Sequence, residues 1–199
     1  MKRFIKYLAI SSALLGASCT NFTDSASALA GMGNVREEKS TFDDSEVVSV
    51  SPAPLYKKGS LLGVPFMVGG IWKSNNPNSV GLVLSYSSST ASSNLYTSFS
   101  SLDINIGGKF YSYSKSGQTS LNSGGYNSIS KQIYTESTDV VIIPMSVFQQ
   151  MLSGNDVRVR LNSSDGPAEA NFSEERIPGG QATAKFYLKK FADRISTKR

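Results

Sequence analysis

The 199-residue chain contains no histidine and a single cysteine, Cys19. The first absence removes the Ser-His-Asp and Cys-His catalytic arrangements, histidine general acids and the common His-containing zinc sites. The second removes disulfides within the chain and any pair of thiolates for a metal or redox centre. A GxxxxGK phosphate loop is missing as well. No apolar run reaches the roughly 20 residues that a membrane-spanning helix needs. Dense Lys/Arg stripes are absent beyond Lys189-Lys190 and the Lys198-Arg199 end, so no nucleic-acid partner is expected. Nothing in the motif content calls for a metal or a cofactor. There is no internal repeat, and the one biased segment is the serine-rich "SYSSSTASSN" at 85–94.

What is present begins at the amino terminus. Lys2, Arg3 and Lys6 precede an apolar or small run from Tyr7 to Ala17, and Gly16-Ala17-Ser18 stands directly before Cys19. A charged start, a short apolar core of about 11 residues and small residues at its end are the layout of a secretory signal. Leu15-Gly16-Ala17-Ser18-Cys19 resembles the lipobox of bacterial lipoproteins, with Gly16 where that pattern usually has leucine. The resemblance covers about 21 residues and implies a signal peptide at 1–18, a diacylglycerol thioether on Cys19, cleavage before Cys19 and acylation of the new amino group. More than one acyl chain gives stable anchoring, each buried CH₂ contributing roughly 0.8 kcal/mol. Thr20 after the cysteine is similar to the sorting pattern for the outer membrane, so the expected location is the bacterial cell envelope. A soluble export product cut at Ala28-Leu29-Ala30 is the competing expectation, although that site lies about a dozen residues beyond the apolar core.

Removing the three signal cations leaves 17 basic against 15 acidic side chains, a net charge of +2. The basicity is therefore mostly a targeting device. Residues 19–46 are rich in Ser, Thr, Asn, Asp, Glu and Gly with no sustained apolar period, and read as the anchor cysteine plus a flexible linker. The remainder, 47–199, is expected to form one domain, long enough for a real core.

Period-2 alternation dominates that domain. Val48 and Val50 precede Pro52 and Pro54, which predicts a short strand ending on an edge. "SLLGVPFMVGGIW" at 60–72 reads as one or two buried or bulged strands, with an exposed apolar contact surface as the alternative. Val80, Leu82, Leu84 and Tyr86 share one face of a strand, and Leu102, Ile104 and Ile106 one face of the next. Gly107-Gly108 turns that strand back into Phe110 to Ser114. "GYNSISKQIYTES" and "TDVVIIP" supply two more strands, the second apolar on both faces and so central. After Pro144 the period changes: Met145, Phe148, Met151 and Leu152 make a short helix ending at Gly154. Val157, Val159 and Leu161 alternate with outward Arg158 and Arg160, and Asp165-Gly166 turns the chain. Ala184, Leu188, Phe191 and Ile195 stripe a final helix, with Lys185, Lys189 and Asp193 away from the stripe. The expected fold class is α+β: a single, mainly antiparallel sheet of about eight short strands with two helices near the C-terminus.

Candidate chemistry is sparse. Two S-x-x-K matches, Ser112 to Lys115 and Ser128 to Lys131, fall in strand or turn segments, where residues three apart point to opposite faces. Two is also the number that chance placement of 35 serines and 13 lysines supplies. A carboxylate-only hydrolase of wall or surface polymers needs two acids about 5 to 10 Å apart, and the spacing of Asp103, Glu136, Asp139, Asp156, Asp165 and Glu169 selects no pair. An aromatic face built from Tyr111, Tyr113 and Tyr86, with Tyr96 or Tyr134 nearby, is the candidate binding surface for an envelope protein or glycan. The same tyrosines fit cross-strand packing equally well. The functional expectation is a non-catalytic interaction or structural role at the envelope, with the hydrolase or a periplasmic ligand-binding module as alternatives.

Overall fold

The computed structural model describes residues 31–60, 64, 66–89 and 96–198. The signal segment, Cys19 and the first part of the linker lie outside these described residues. Among the described residues ten strands and two helices follow in order: β1 (Val35–Lys39), β2 (Glu46–Pro54), β3 (Phe66–Lys73), β4 (Ser79–Ser89), β5 (Phe99–Ile106), β6 (Lys109–Ser114), β7 (Ser120–Asn127), β8 (Gln132–Pro144), α1 (Met145–Ser153), β9 (Val157–Ser163), β10 (Gly166–Asn171) and α2 (Ala184–Ser196). They form a six-stranded sheet in the order β1-β2-β3-β4-β8-β7 and a four-stranded sheet in the order β10-β9-β5-β6. Every pairing is antiparallel.

The α+β class and the antiparallel pairing are as the sequence predicts, but there are ten strands in two sheets where about eight in one sheet are expected. Only α2 is near the C-terminus; α1 sits between β8 and β9. One additional strand, β1, falls inside the stretch read as linker. Its sequence, VREEK, carries four charged side chains and is mostly exposed, so no apolar alternation marks it. Pairing of its backbone with β2 makes it a strand. That pairing also moves β2 from the expected edge to an interior position, and β2 runs on through Pro54. "GYNSISKQIYTES" is a hairpin rather than one strand. The Asn127 side chain accepts hydrogen bonds from the Ile129 and Ser130 amides, and Lys131 adopts φ 55°, which turns β7 into β8 without a glycine or proline at the turn.

One core joins these layers. Val48, Val68, Trp72, Val80, Leu82, Leu84, Val141 and Ile143 bury the inner face of the large sheet, and Leu102, Ile104, Val157, Val159 and Leu161 that of the small one. Phe148 and Met151 of α1 and Leu188, Phe191 and Ile195 of α2 complete the cluster. Full burial of each leucine, isoleucine or phenylalanine contributes roughly 1.5–3 kcal/mol. The helix α2 lies across β2 and β3. Its approach depends on Gly70, where a β-carbon would stand 3.0 Å from Phe191 Cε1 and 3.1 Å from Leu188 Cδ2.

The neighbouring Gly69 serves the opposite face. Between Val50 and Ala53 the β2–β3 register shifts, and this bulge brings Val50 O to 2.5 Å and Pro52 N to 2.8 Å from the position of a Gly69 β-carbon. Pro52 lacks an amide hydrogen, and a bulge is a place where a strand interior tolerates that loss. The Ser51 amide and carbonyl bond instead to Asn34 O at 3.0 Å and Gly33 N at 3.2 Å, which ties down the chain entering β1.

Lys185 departs from its expected place. It is 6 % exposed, and Nζ donates a 2.6 Å hydrogen bond to the carbonyl of Gly154 at the end of α1. A cation at a helix C-terminus meets the negative end of the helix dipole. Burial pushes the Lys185 pKa down, with Lys189 adding to the effect. The expected apolar stripe of α2 is present in full, and Lys185 enters the interior because the start of α2 is tucked beneath the end of α1. Gly69→Ala is expected to lower stability by about 3 kcal/mol, since backbone atoms of β2 would have to move. Urea unfolding checks this as a fall in midpoint at unchanged slope; an unchanged midpoint would show that the bulge yields freely.

Candidate functional site

Because Leu102, Ile104, Val157, Val159 and Leu161 turn inward, the alternate residues of the small sheet must turn outward. β5 thereby presents Asp103 and Asn105, β6 presents Phe110 and Ser112, β9 presents Arg158, Arg160 and Asn162, and β10 presents Glu169 and Asn171. The β5–β9 register sets Asp103 opposite Arg160 and Asn105 opposite Arg158. Across β9–β10, Glu169 stands opposite Arg160 and Asn171 opposite Arg158. The segment after β2 closes one rim. Asn171 N donates to Tyr56 O at 2.8 Å, and this bridge carries Lys57 and Lys58 to the sheet. The result is an open concavity of about 360 Å³.

Arg160 organises its floor. Its Nε lies 3.3 Å from Asp103 Oδ2 and its Nη1 3.6 Å from Glu169 Oε1. Asp103 also accepts hydrogen bonds from Ser112 Oγ at 2.7 Å and Asn162 Nδ2 at 2.9 Å. Burial pushes the Asp103 carboxyl up, but the bonds from Asn162 and Ser112 and the Arg160 charge together outweigh it, and its pKa falls below the ordinary carboxylate value. Arg158 pairs with Asp156 at 3.3 Å. Lys57 and Lys58 have no carboxylate partner among the described residues, so four cations face two carboxylates in the concavity. Above them stands Phe110, 69 % exposed. Such a surface offers an aromatic plane, amide and guanidinium donors, and fixed carboxylate acceptors.

The tyrosines expected to form a binding face lie elsewhere. Tyr111 and Tyr113 are on the inner side of β6, half-buried against the core, with rings stacked at 6.5 Å and 10°. Tyr111 Oη donates to Gln150 Oε1 of α1 at 3.0 Å. Tyr86, on the large sheet, is half-buried and meets Phe99 edge-on at 6.5 Å. Burial raises its pKa, and Asp165 adds to that. Tyr96 and Tyr134 are exposed, and Cys19 lies outside the described residues.

Of the six candidate acids, the fold brings Asp103 and Glu169 together around Arg160 and separates the rest. Glu136 accepts from Ser85 Oγ, Asp165 from Thr97 Oγ1 and Asp156 from Arg158. Asp139 is buried, with Thr119 Oγ1 at 3.0 Å and Lys115 Nζ at 3.8 Å. The S-x-x-K residues are likewise engaged apart, Ser112 with Asp103 and Lys115 with Thr119 and Asp139. No three His, Cys, Asp or Glu side chains are grouped for a metal ion among the described residues. No helix among them is long and apolar enough to cross a membrane.

No protein-family model matches the chain, and no curated protein or solved structure matches it significantly. The geometry of the site therefore carries the functional reading.

The lowered pKa of Asp103 has a signed consequence. Its stabilising effect is complete above the unfolded value of 3.8 and is lost as pH falls through the folded value. Asp103→Asn should reduce stability at neutral pH by at most about 1 kcal/mol. The gap between variant and wild type in urea midpoint should close as the pH is lowered; a gap independent of pH would contradict the ion-pair assignment.

Proposed function

We propose that this protein is a lipid-anchored component of the bacterial cell envelope that binds a glycan on the outer face of its small sheet without catalysing its turnover. The observation that carries the reading is Phe110, exposed on a concave face among guanidinium, amide and carboxylate groups. The carbon-hydrogen face of a sugar ring stacks on an aromatic plane, while its hydroxyls take the surrounding donors and acceptors. Lys57 and Lys58 favour a ligand carrying acidic substituents.

The anchor half of the proposal rests on the lipobox-like segment ending at Cys19 and on Thr20, which favours the outer membrane. Eleven residues separate Cys19 from Gly31. At full extension they span up to about 40 Å, enough to hold the domain clear of a lipid surface.

A carboxylate-dependent hydrolase draws support from the placement of Asp103 and Glu169 on this same face. That chemistry needs one carboxyl kept protonated by a raised pKa, and Asp103 is shifted the other way. Binding without turnover therefore fits the site better than hydrolysis.

Two experiments test the two halves. In a bacterial host, wild type should fractionate with membranes and carry an acylated Cys19 terminus by intact mass, while Cys19→Ala should be soluble. Co-sedimentation with purified envelope polysaccharide should weaken about tenfold in Phe110→Ala, a change of about 1.4 kcal/mol, with no new reducing ends appearing over time. Equal retention of wild type and Phe110→Ala would sink the binding site, and release of reducing ends would make the protein a hydrolase.

A further inference from the structure

Among the described residues two sheets have four edges, and three of them are guarded by charge or proline. β1 has Arg36, Glu37, Glu38 and Lys39, β10 has Pro167 and Glu169, and β6 begins with Lys109. Charge and proline on an edge strand discourage a further strand from pairing there. The fourth edge, β7, is eight residues of SLNSGGYN, every one exposed. It holds neither charge nor proline, and no charged residue occurs anywhere from 117 to 130. It is also the edge opposite β1, where the chain arrives from its amino-terminal segment.

Apolar side chains accompany the bare backbone. Leu121 is 52 % and Tyr126 66 % exposed. Leu121 stands opposite Ser137 and Tyr126 opposite Ile133. These β8 positions are four apart, so the two side chains share one face. The sharing is produced by the register shift between Ser123 and Tyr126, because five residues of unbroken strand would put them on opposite faces.

We propose that β7 is a strand-addition surface whose occupant is a second copy of this chain, paired antiparallel about a two-fold axis between Ser123 and Gly124. In that register residues 120–122 face residues 125–127 of the second copy, twice over. Leu121 then falls opposite Tyr126 of the second copy, and Tyr126 opposite its Leu121. An aliphatic side chain against an aromatic one is a favourable cross-strand pair. A symmetric contact must be complementary to itself, and β7 meets this condition without bringing like charges together. An edge that recognised a differently charged segment would be expected to carry a charge of its own. The site on the small sheet takes no part in this contact, so the proposal stands apart from glycan binding.

The test is sedimentation equilibrium of residues 20–199, so that neither acyl chains nor the apolar run at 7–17 drives association, together with amide hydrogen exchange. From micromolar to millimolar protein the mass should double, the amides of 120–127 should gain protection, and added salt should not weaken the effect. Leu121→Lys and Tyr126→Lys, both at exposed positions, should each remain single copies with unchanged thermal unfolding. A single copy throughout the range, or a doubling that survives both variants, overturns the proposal. So does protection of 120–127 that appears only when another envelope protein is added, which would assign the edge to a foreign strand.

Discussion

Six strands side by side make a sheet about 24 Å across, at roughly 4.8 Å per neighbour, and its inner face is apolar along β2, β3, β4 and β8. A four-stranded sheet does not cover that width. The helix α2 closes the remainder over β2 and β3, while α1 packs against β4 and β8. Everything else in the fold depends on this closure. It requires a residue without a side chain at Gly70, where Phe191 and Leu188 rest on the strand, and it places the start of α2 against the end of α1, where Lys185 meets the Gly154 carbonyl. A buried cation is unfavourable unless its partner is present, so this bond restricts the helix pair to one arrangement.

The closure also decides which surfaces remain free. With its inner face committed to the core, the small sheet turns its outer residues to solvent on four hydrogen-bonded strands. Side chains fixed on strands hold their positions better than side chains on loops. Arg160, Asp103 and Glu169 are thus arranged by register, with the Ser112 hydroxyl and the Asn162 amide completing the shell around Asp103. The amino-terminal segment is secured at the far side of the large sheet, where the Gly33 amide and Asn34 carbonyl bond to Ser51.

Much of the fold was legible because alternation is a strong signal when one face is buried. β4 begins at Ser79 as the valine-leucine pattern predicts, the β5–β6 hairpin turns at Gly107-Gly108, and the stripe of α2 is the one read from Ala184, Leu188, Phe191 and Ile195. The strands that the sequence conceals have no alternation to show. β1 is nearly all exposed, and β7 is exposed throughout. The division into two sheets was equally silent, since it depends on β5 pairing with β9, more than 50 residues along the chain. That same pairing hid the site. Outward Arg158 and Arg160 were readable, and so was Phe110 on the face opposite Tyr111, but only the long-range register sets them together. Tyr111 and Tyr113 share a strand face by their spacing, but tyrosine serves packing as readily as binding.

The proposed binding surface is the outer face of the small sheet. The most direct measurement is a residue-by-residue map of backbone amide shifts while soluble fragments of envelope polysaccharide are titrated in. The predicted result is a saturable set of shifts confined to the loop at Lys57 and Lys58 and to the strands bearing Asp103, Phe110, Arg158, Arg160 and Glu169. Shifts centred instead on Tyr111, Tyr113 and Tyr86, or no saturable shifts with any fragment, would contradict it.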